Sequence, residues 1–186
     1  MYRGRRKAAV EHFRRALATY DTGSTSERVD TLLMLTLACA ALGDLESAEA
    51  AHQETLSTLS PAERFQRSCS LLYVGEALRR HSSADQALTA VRGALRLKAE
   101  LADPFGMAWP FEVLAEIAFD ARQCERAAFL LGAADRMWKN MGIDMPTLGD
   151  CRSTQGRPAT ACVQRSGRPR SRITVGGVSI WSATLS

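Results

Sequence analysis

Four alanines, Ala9, Ala48, Ala87 and Ala127, recur at separations of 39, 39 and 40 residues, and a repeat of that length constrains this 186-residue chain more than its composition does. Each opens a stretch with apolar residues at helical spacing: Ala9–Phe13–Ala16–Leu17, Ala48–Ala51–Leu56, Ala87–Val91–Ala94–Leu95 and Ala127–Leu130–Leu131–Ala134. Seven residues after the markers stand Ala16, Thr55, Ala94 and Ala134, all small. Small residues there let two helix backbones approach while larger neighbours fill the groove. A second helix precedes each of the last three markers, with columns Leu32/Leu71/Phe111, Leu35/Val74/Leu114, Ala38/Ala77/Ile117 and Cys39/Leu78/Ala118. Offsets of three, three and one residues keep these columns on one helix face.

Short polar breaks separate the paired helices: Gly43-Asp44, His81-Ser82-Ser83 and Arg122-Gln123. Ser60-Pro61 and Asp103-Pro104 each read as an N-cap followed by proline at the first helical position. Gly142 stands where a left-handed helix end is expected. The pattern predicts seven helices, near 5–20, 26–42, 45–59, 61–80, 84–101, 104–121 and 124–141. Pro110, inside the sixth, is expected to kink it or delay its start. The expected fold is all-α: an α-solenoid of antiparallel helix pairs with a period of about 40 residues, in which each unit buries its face only against neighbours.

Charge divides the chain. Residues 1–150 hold 18 Lys and Arg against 20 Asp and Glu, whereas residues 151–186 hold six Arg and no acidic residue. The body therefore lacks the basic footprint of a DNA binder. The longest uncharged apolar stretch, Thr31 to Gly43, is 13 residues, short of the roughly 20 that span a bilayer. Five widely spaced cysteines, Cys39, Cys69, Cys124, Cys151 and Cys162, without a CxxC pair, fit reduced cytoplasmic thiols.

The stretch Gly43-Asp44-Leu45-Glu46-Ser47-Ala48-Glu49-Ala50 resembles the turn and second-helix start of a tetratricopeptide-type repeat. Cys124 to Pro146 resembles the last repeat of large LuxR-type transcriptional regulators and related ATP-binding signalling proteins, through Glu125-Arg126-Ala127-Ala128, Leu131-Gly132-Ala133-Ala134 and Met141-Gly142. Ala99-Glu100-Leu101-Ala102-Asp103 with Gly106-Met107-Ala108 resembles the linker before that repeat. The resemblance covers about residues 5–146 and implies a helical sensor region, with repeats over 1–146 and a disordered basic tail over 147–186. The family's ATPase needs GxxxxGK[ST], which this chain lacks, and nothing after Gly149 reads as a helix-turn-helix.

Two readings of the tail stay open. Moving its reading frame back one nucleotide permits a helix-like string over Val163 to Val178 with the Leu-Gly, Phe and Gly landmarks expected of a relative, which points to a frameshifted tail. Alternatively, Arg165, Arg168, Arg170 and Arg172 neutralise nucleic-acid phosphates without reading sequence. Trp181 alone makes a poor stacking platform.

Metalloprotease HExxH, nucleophile-elbow GxSxG and dinucleotide GxGxxG patterns are absent. His12, His52 and His81 fall at unrelated repeat offsets and read as surface or helix-end residues. Trp109 and Trp138 read as packing across repeat junctions. Glu112 and Glu116, four apart on one helix, suit acid–base work but equally a solvated helix face. The reading is thus a non-catalytic interaction or sensor module without cofactor or metal, binding a protein, a peptide or a small effector on the concave face. Thr36, Glu76, Arg79, Glu112 and Glu116 are its candidate contacts. The alternatives are an inactive fragment or a small carboxylate enzyme. The first helix reads as the second member of a pair whose first is missing, so an apolar side left open there predicts marginal stability and self-association.

Overall fold

The computed structural model describes residues 2–20, 25–81, 83–143, 170–175 and 178–183. Among the described residues seven helices occupy the expected places: α1 (Tyr2–Thr19), α2 (Thr25–Leu42), α3 (Leu45–Thr58), α4 (Arg64–Arg80), α5 (Ala84–Glu100), α6 (Pro104–Asp120) and α7 (Cys124–Asn140). The chain divides into two compact units, residues 1–110 and 111–186.

In the first unit α1 packs on α2, α2 on α3 and α4, and α4 on α3 and α5. The apolar columns explain this. Val10, Leu32, Leu35, Cys39, Ala40, Ala48, Ala51 and Ala77 form one core cluster, onto which Phe13 and Leu17 of α1 pack. Val29, Leu33, Leu59 and Cys69 form another, with Tyr73 against it. The marker alanines Ala48 and Ala87 are fully buried, as are Thr55 and Ala94 seven residues on. Helices α4 and α5 approach closely at Gly75 of α4, where an added Cβ would lie 2.6 Å from Val91 Cγ2 on α5. The solvent-exposed positions of α1 include Arg5, Lys7, Glu11, His12 and Arg15, so its open side is largely polar.

The helix ends repeat one device. A backbone N–H reaches back five residues to a carbonyl in Asp44→Cys39, Ser83→Leu78, Asp103→Lys98, Gln123→Ala118 and Ile143→Trp138, at 2.8–3.1 Å. This is the outer bond of a Schellman end, which needs a left-handed residue just before the donor. Gly43 and Gly142 supply it with φ of 78° and 72°, while Ala102 and Arg122 are held there at 50° and 61°.

At helix starts, Asp44 Oδ1 accepts from Ser47 N–H at 3.1 Å and Asp103 Oδ1 from Gly106 N–H at 2.7 Å. The fourth helix departs from expectation. Pro61 and Ala62 form a turn and α4 begins at Arg64, because Glu63 Oε2 accepts from Ser60 N–H at 2.7 Å. Arg67 meanwhile donates to the Ser60 and Leu59 carbonyls at 2.9 and 2.7 Å, tying the end of α3 to α4. Pro110 does not delay α6, which starts at Pro104 and runs through it.

The second unit holds the end of α6, α7 and a two-stranded antiparallel ribbon, β1 (Arg170–Val175) and β2 (Val178–Ala183), with Val175 opposite Val178. Within a tail expected to be disordered throughout, these two strands pair. The rest of the tail, including the arginines before Arg170, lies outside the described residues.

Candidate functional site

The five residues expected on an open face are not equivalent. Thr36 is fully buried, its hydroxyl donating to the Leu32 carbonyl at 2.9 Å. Glu112 is also buried and accepts from the Trp138 indole N–H at 2.9 Å. Burial removes both from the open face expected of them. The cause is that α2 and α6 present apolar columns on more than one side, so positions beside the repeat columns also meet neighbours.

Glu76 on α4 is buried and lies between two arginines. Arg79 Nε reaches Glu76 Oε2 at 3.3 Å, and Arg80 Nη2 reaches Oε1 at 2.8 Å. One turn of helix thus carries two guanidiniums on one carboxylate. Glu116 is half-buried on α6 and engaged with a neighbour. The structure brings Glu76 and Arg79 together in the first unit and places Glu112 and Glu116 in the second.

A denser site escaped the sequence reading. Lys98, near the end of α5, is 3% exposed. Its Nζ lies 3.0 Å from Asp103 Oδ2, 3.6 Å from Cys69 Sγ and 4.2 Å from the centroid of the Phe65 ring. An ammonium taken from water without such partners costs several kcal/mol. Here a carboxylate and an aromatic face replace the water. Burial would raise the Asp103 carboxyl, but the Gly106 N–H and then Lys98 outweigh it and hold it below the usual carboxylate range. A Cβ at Gly106 would lie 2.0 Å from Asp103 Oδ2 and 2.5 Å from Lys98 Cδ, so a larger residue there would displace both side chains. Beside this group Tyr73 packs on Trp109, centroids 5.3 Å apart and ring planes tilted by 46°. Burial, with Cys69 adding, pushes the Tyr73 phenol up to about 12. The one local cue was Asp103-Pro104; that Lys98, 29 residues from Cys69, turns inward is a matter of packing.

His52 is a further correction. It is buried rather than on the surface, with Nδ1 2.7 Å from Ser70 Oγ, and burial lowers its pKa below the ordinary value. A histidine beside a serine hydroxyl is half of a nucleophile–base pair, but Ser70 is fully buried, out of a substrate's reach. His81 does sit at a helix end, its Nε2 2.8 Å from the Gly43 carbonyl. Cys39 is fully buried, and burial pushes its thiol up. Cys39 and Cys69 are free, whereas Cys124 is disulfide-bonded, a departure from the expectation of five reduced thiols.

Among the described residues no three His, Cys, Asp or Glu side chains gather where they could hold a metal ion, and no helix is long and apolar enough to cross a membrane. Comparison with known protein families, curated proteins and solved structures finds no match.

Proposed function

We propose that this chain is a non-catalytic helical-repeat interaction module of the tetratricopeptide-like solenoid kind, acting in the cytoplasm as a sensor segment of a LuxR-type regulator. The observation that carries the reading is the recurrence of both helices of a pair. First helices start at Thr25, Arg64 and Pro104, second helices at Leu45, Ala84 and Cys124, each series stepping by 39 and 40 residues. The same five-residue helix-end bond recurs with them. The pairs α2–α3 and α4–α5 repeat these starts and ends and pack together through α2 and α3 on α4, the arrangement in which first helices line up equivalent positions along one face.

Equivalent positions on α2 and α4 then form the binding face. Met34 is 39% exposed, and Tyr73, 39 residues further on, is half-buried. Arg80 stands two turns beyond Tyr73, with Glu76 between them. An apolar step beside the part-exposed Arg80 guanidinium suits a peptide that carries an apolar side chain next to an acidic one.

The test is selection from a displayed random-peptide library against the full chain. Enriched peptides should pair an apolar with an acidic residue, and should lose binding to Met34→Glu and Arg80→Glu chains. Enrichment of peptides indifferent to both substitutions, or none at all, would count against the proposal.

A further inference from the structure

We propose that Cys69 and Lys98 form a peroxide-responsive covalent latch, in which a hydroperoxide oxidises the thiol and the lysine nitrogen captures the oxidised sulfur as a sulfur–nitrogen link. Nζ and Sγ lie 3.6 Å apart, close to contact, and neither is free to wander. Lys98 is held by Asp103 Oδ2 at 3.0 Å and by the Phe65 ring at 4.2 Å. Asp103 is fixed in turn by the Gly106 N–H at 2.7 Å, and the absence of a side chain at Gly106 leaves space for the lysine stem. Cys69 is 9% exposed, packed with Val29, Leu33 and Leu59. Two reacting groups locked this near each other react with a high effective concentration, and hydrogen peroxide is small enough to reach a thiol that larger thiols cannot approach.

The Cys69 thiol gives up its proton to solvent as the sulfur attacks one peroxide oxygen. The O–O bond breaks and the sulfur loses two electrons. The leaving hydroxide takes a proton from solvent, so sulfenic acid and water result. The Lys98 nitrogen then loses a proton to solvent and its lone pair forms the N–S bond. The S–O bond breaks, and the departing hydroxide leaves as water with a second proton from nitrogen. This second step needs no further oxidant, and the product is a link between α4 and α5.

The full chain is treated with hydrogen peroxide, samples are unfolded at intervals in urea containing dimedone so that the buried sulfenic acid is trapped, and digests are read by mass spectrometry. The expected result is a linked peptide pair joining Cys69 to Lys98, about 2 Da lighter than its separate parts, with dimedone labelling of Cys69 only in the earliest samples. In Lys98→Arg, checked for helicity by circular dichroism, the interval over which Cys69 can be labelled by dimedone should lengthen about tenfold. Two outcomes would overturn the latch: Cys69 still open to dimedone labelling in late samples of the unsubstituted chain with no linked pair, or Cys69 staying reduced, whether or not Cys39 oxidises. Both are read on the unsubstituted chain, so the test stands even where the variant fails to fold.

Discussion

Gly75→Ala tests the close packing of α4 on α5 most directly. The added methyl would stand 2.6 Å from Val91 Cγ2, with the Ala87 carbonyl and the Ala90 Cβ both at 3.5 Å. Val91 is fully buried and Ala90 nearly so, and both sit on α5, which offers no flexible chain end to yield. Overpacking of this kind costs about 1–3 kcal/mol, against a gain of about 1 kcal/mol from replacing a mid-helix glycine. The net is a destabilisation of roughly 0–2 kcal/mol, too wide a range to decide anything alone, so a double-mutant cycle with Val91→Ala is the useful form. In the parent chain Val91→Ala opens a cavity and destabilises. In the Gly75→Ala chain it removes the clashing methyl, and the methyl added at position 75 fills part of the space. The two changes should therefore offset each other, with a coupling of about 1–3 kcal/mol. Urea denaturation followed by tryptophan fluorescence reads this as shifts in midpoint at constant slope. Gly75→Ala raising stability by its full helix propensity, together with additivity within about 0.5 kcal/mol, would refute the close approach.

Burial keeps His52 neutral with its pKa below the ordinary 6.5, so its contribution is complete above the unfolded value and drains away as pH falls through the lowered folded one. Thermal unfolding between about pH 7.5 and about pH 5 should show this slope, and His52→Gln should flatten it. Ala102→Gly and Arg122→Gly relieve left-handed backbone at two helix ends and should each stabilise by up to about 1 kcal/mol, with Gly43→Ala and Gly142→Ala losing about as much, as denaturant midpoints would show. A two-stranded ribbon alone is marginal in water, so amides of β1 and β2 should exchange far faster than those of Leu72 to Leu78 in α4; equal protection would mean that the ribbon is packed against other structure.

Helix number and phase were legible in the amino-acid order because both are local. Period, caps and breaks involve residues within about two turns of one another, so Asp44, Asp103-Pro104 and Gly142 announced their helix boundaries closely. Ser60-Pro61 marks the limit in the same terms: proline there is compatible with a helix start, but Glu63 and Arg67 bond back to that turn and move the start to Arg64. Ala102 and Arg122 occupy left-handed positions without the glycine that would have signalled them; only their even spacing to Gly142 marks them.

Which polar residues are buried was decided by tertiary structure. A helix flanked on one side leaves its opposite face to water, and reading Thr36 and Glu112 as open positions assumes that arrangement. α4 is packed by α2, α3 and α5, so faces that look solvated in the pattern can close. Lys98 meets Phe65 and Cys69 from 33 and 29 residues away, and His52 meets Ser70 from 18. No periodicity encodes those meetings, because they depend on the angle and separation at which neighbouring helices settle, which the small residues Gly75, Ala87 and Ala94 set only once the helices are packed.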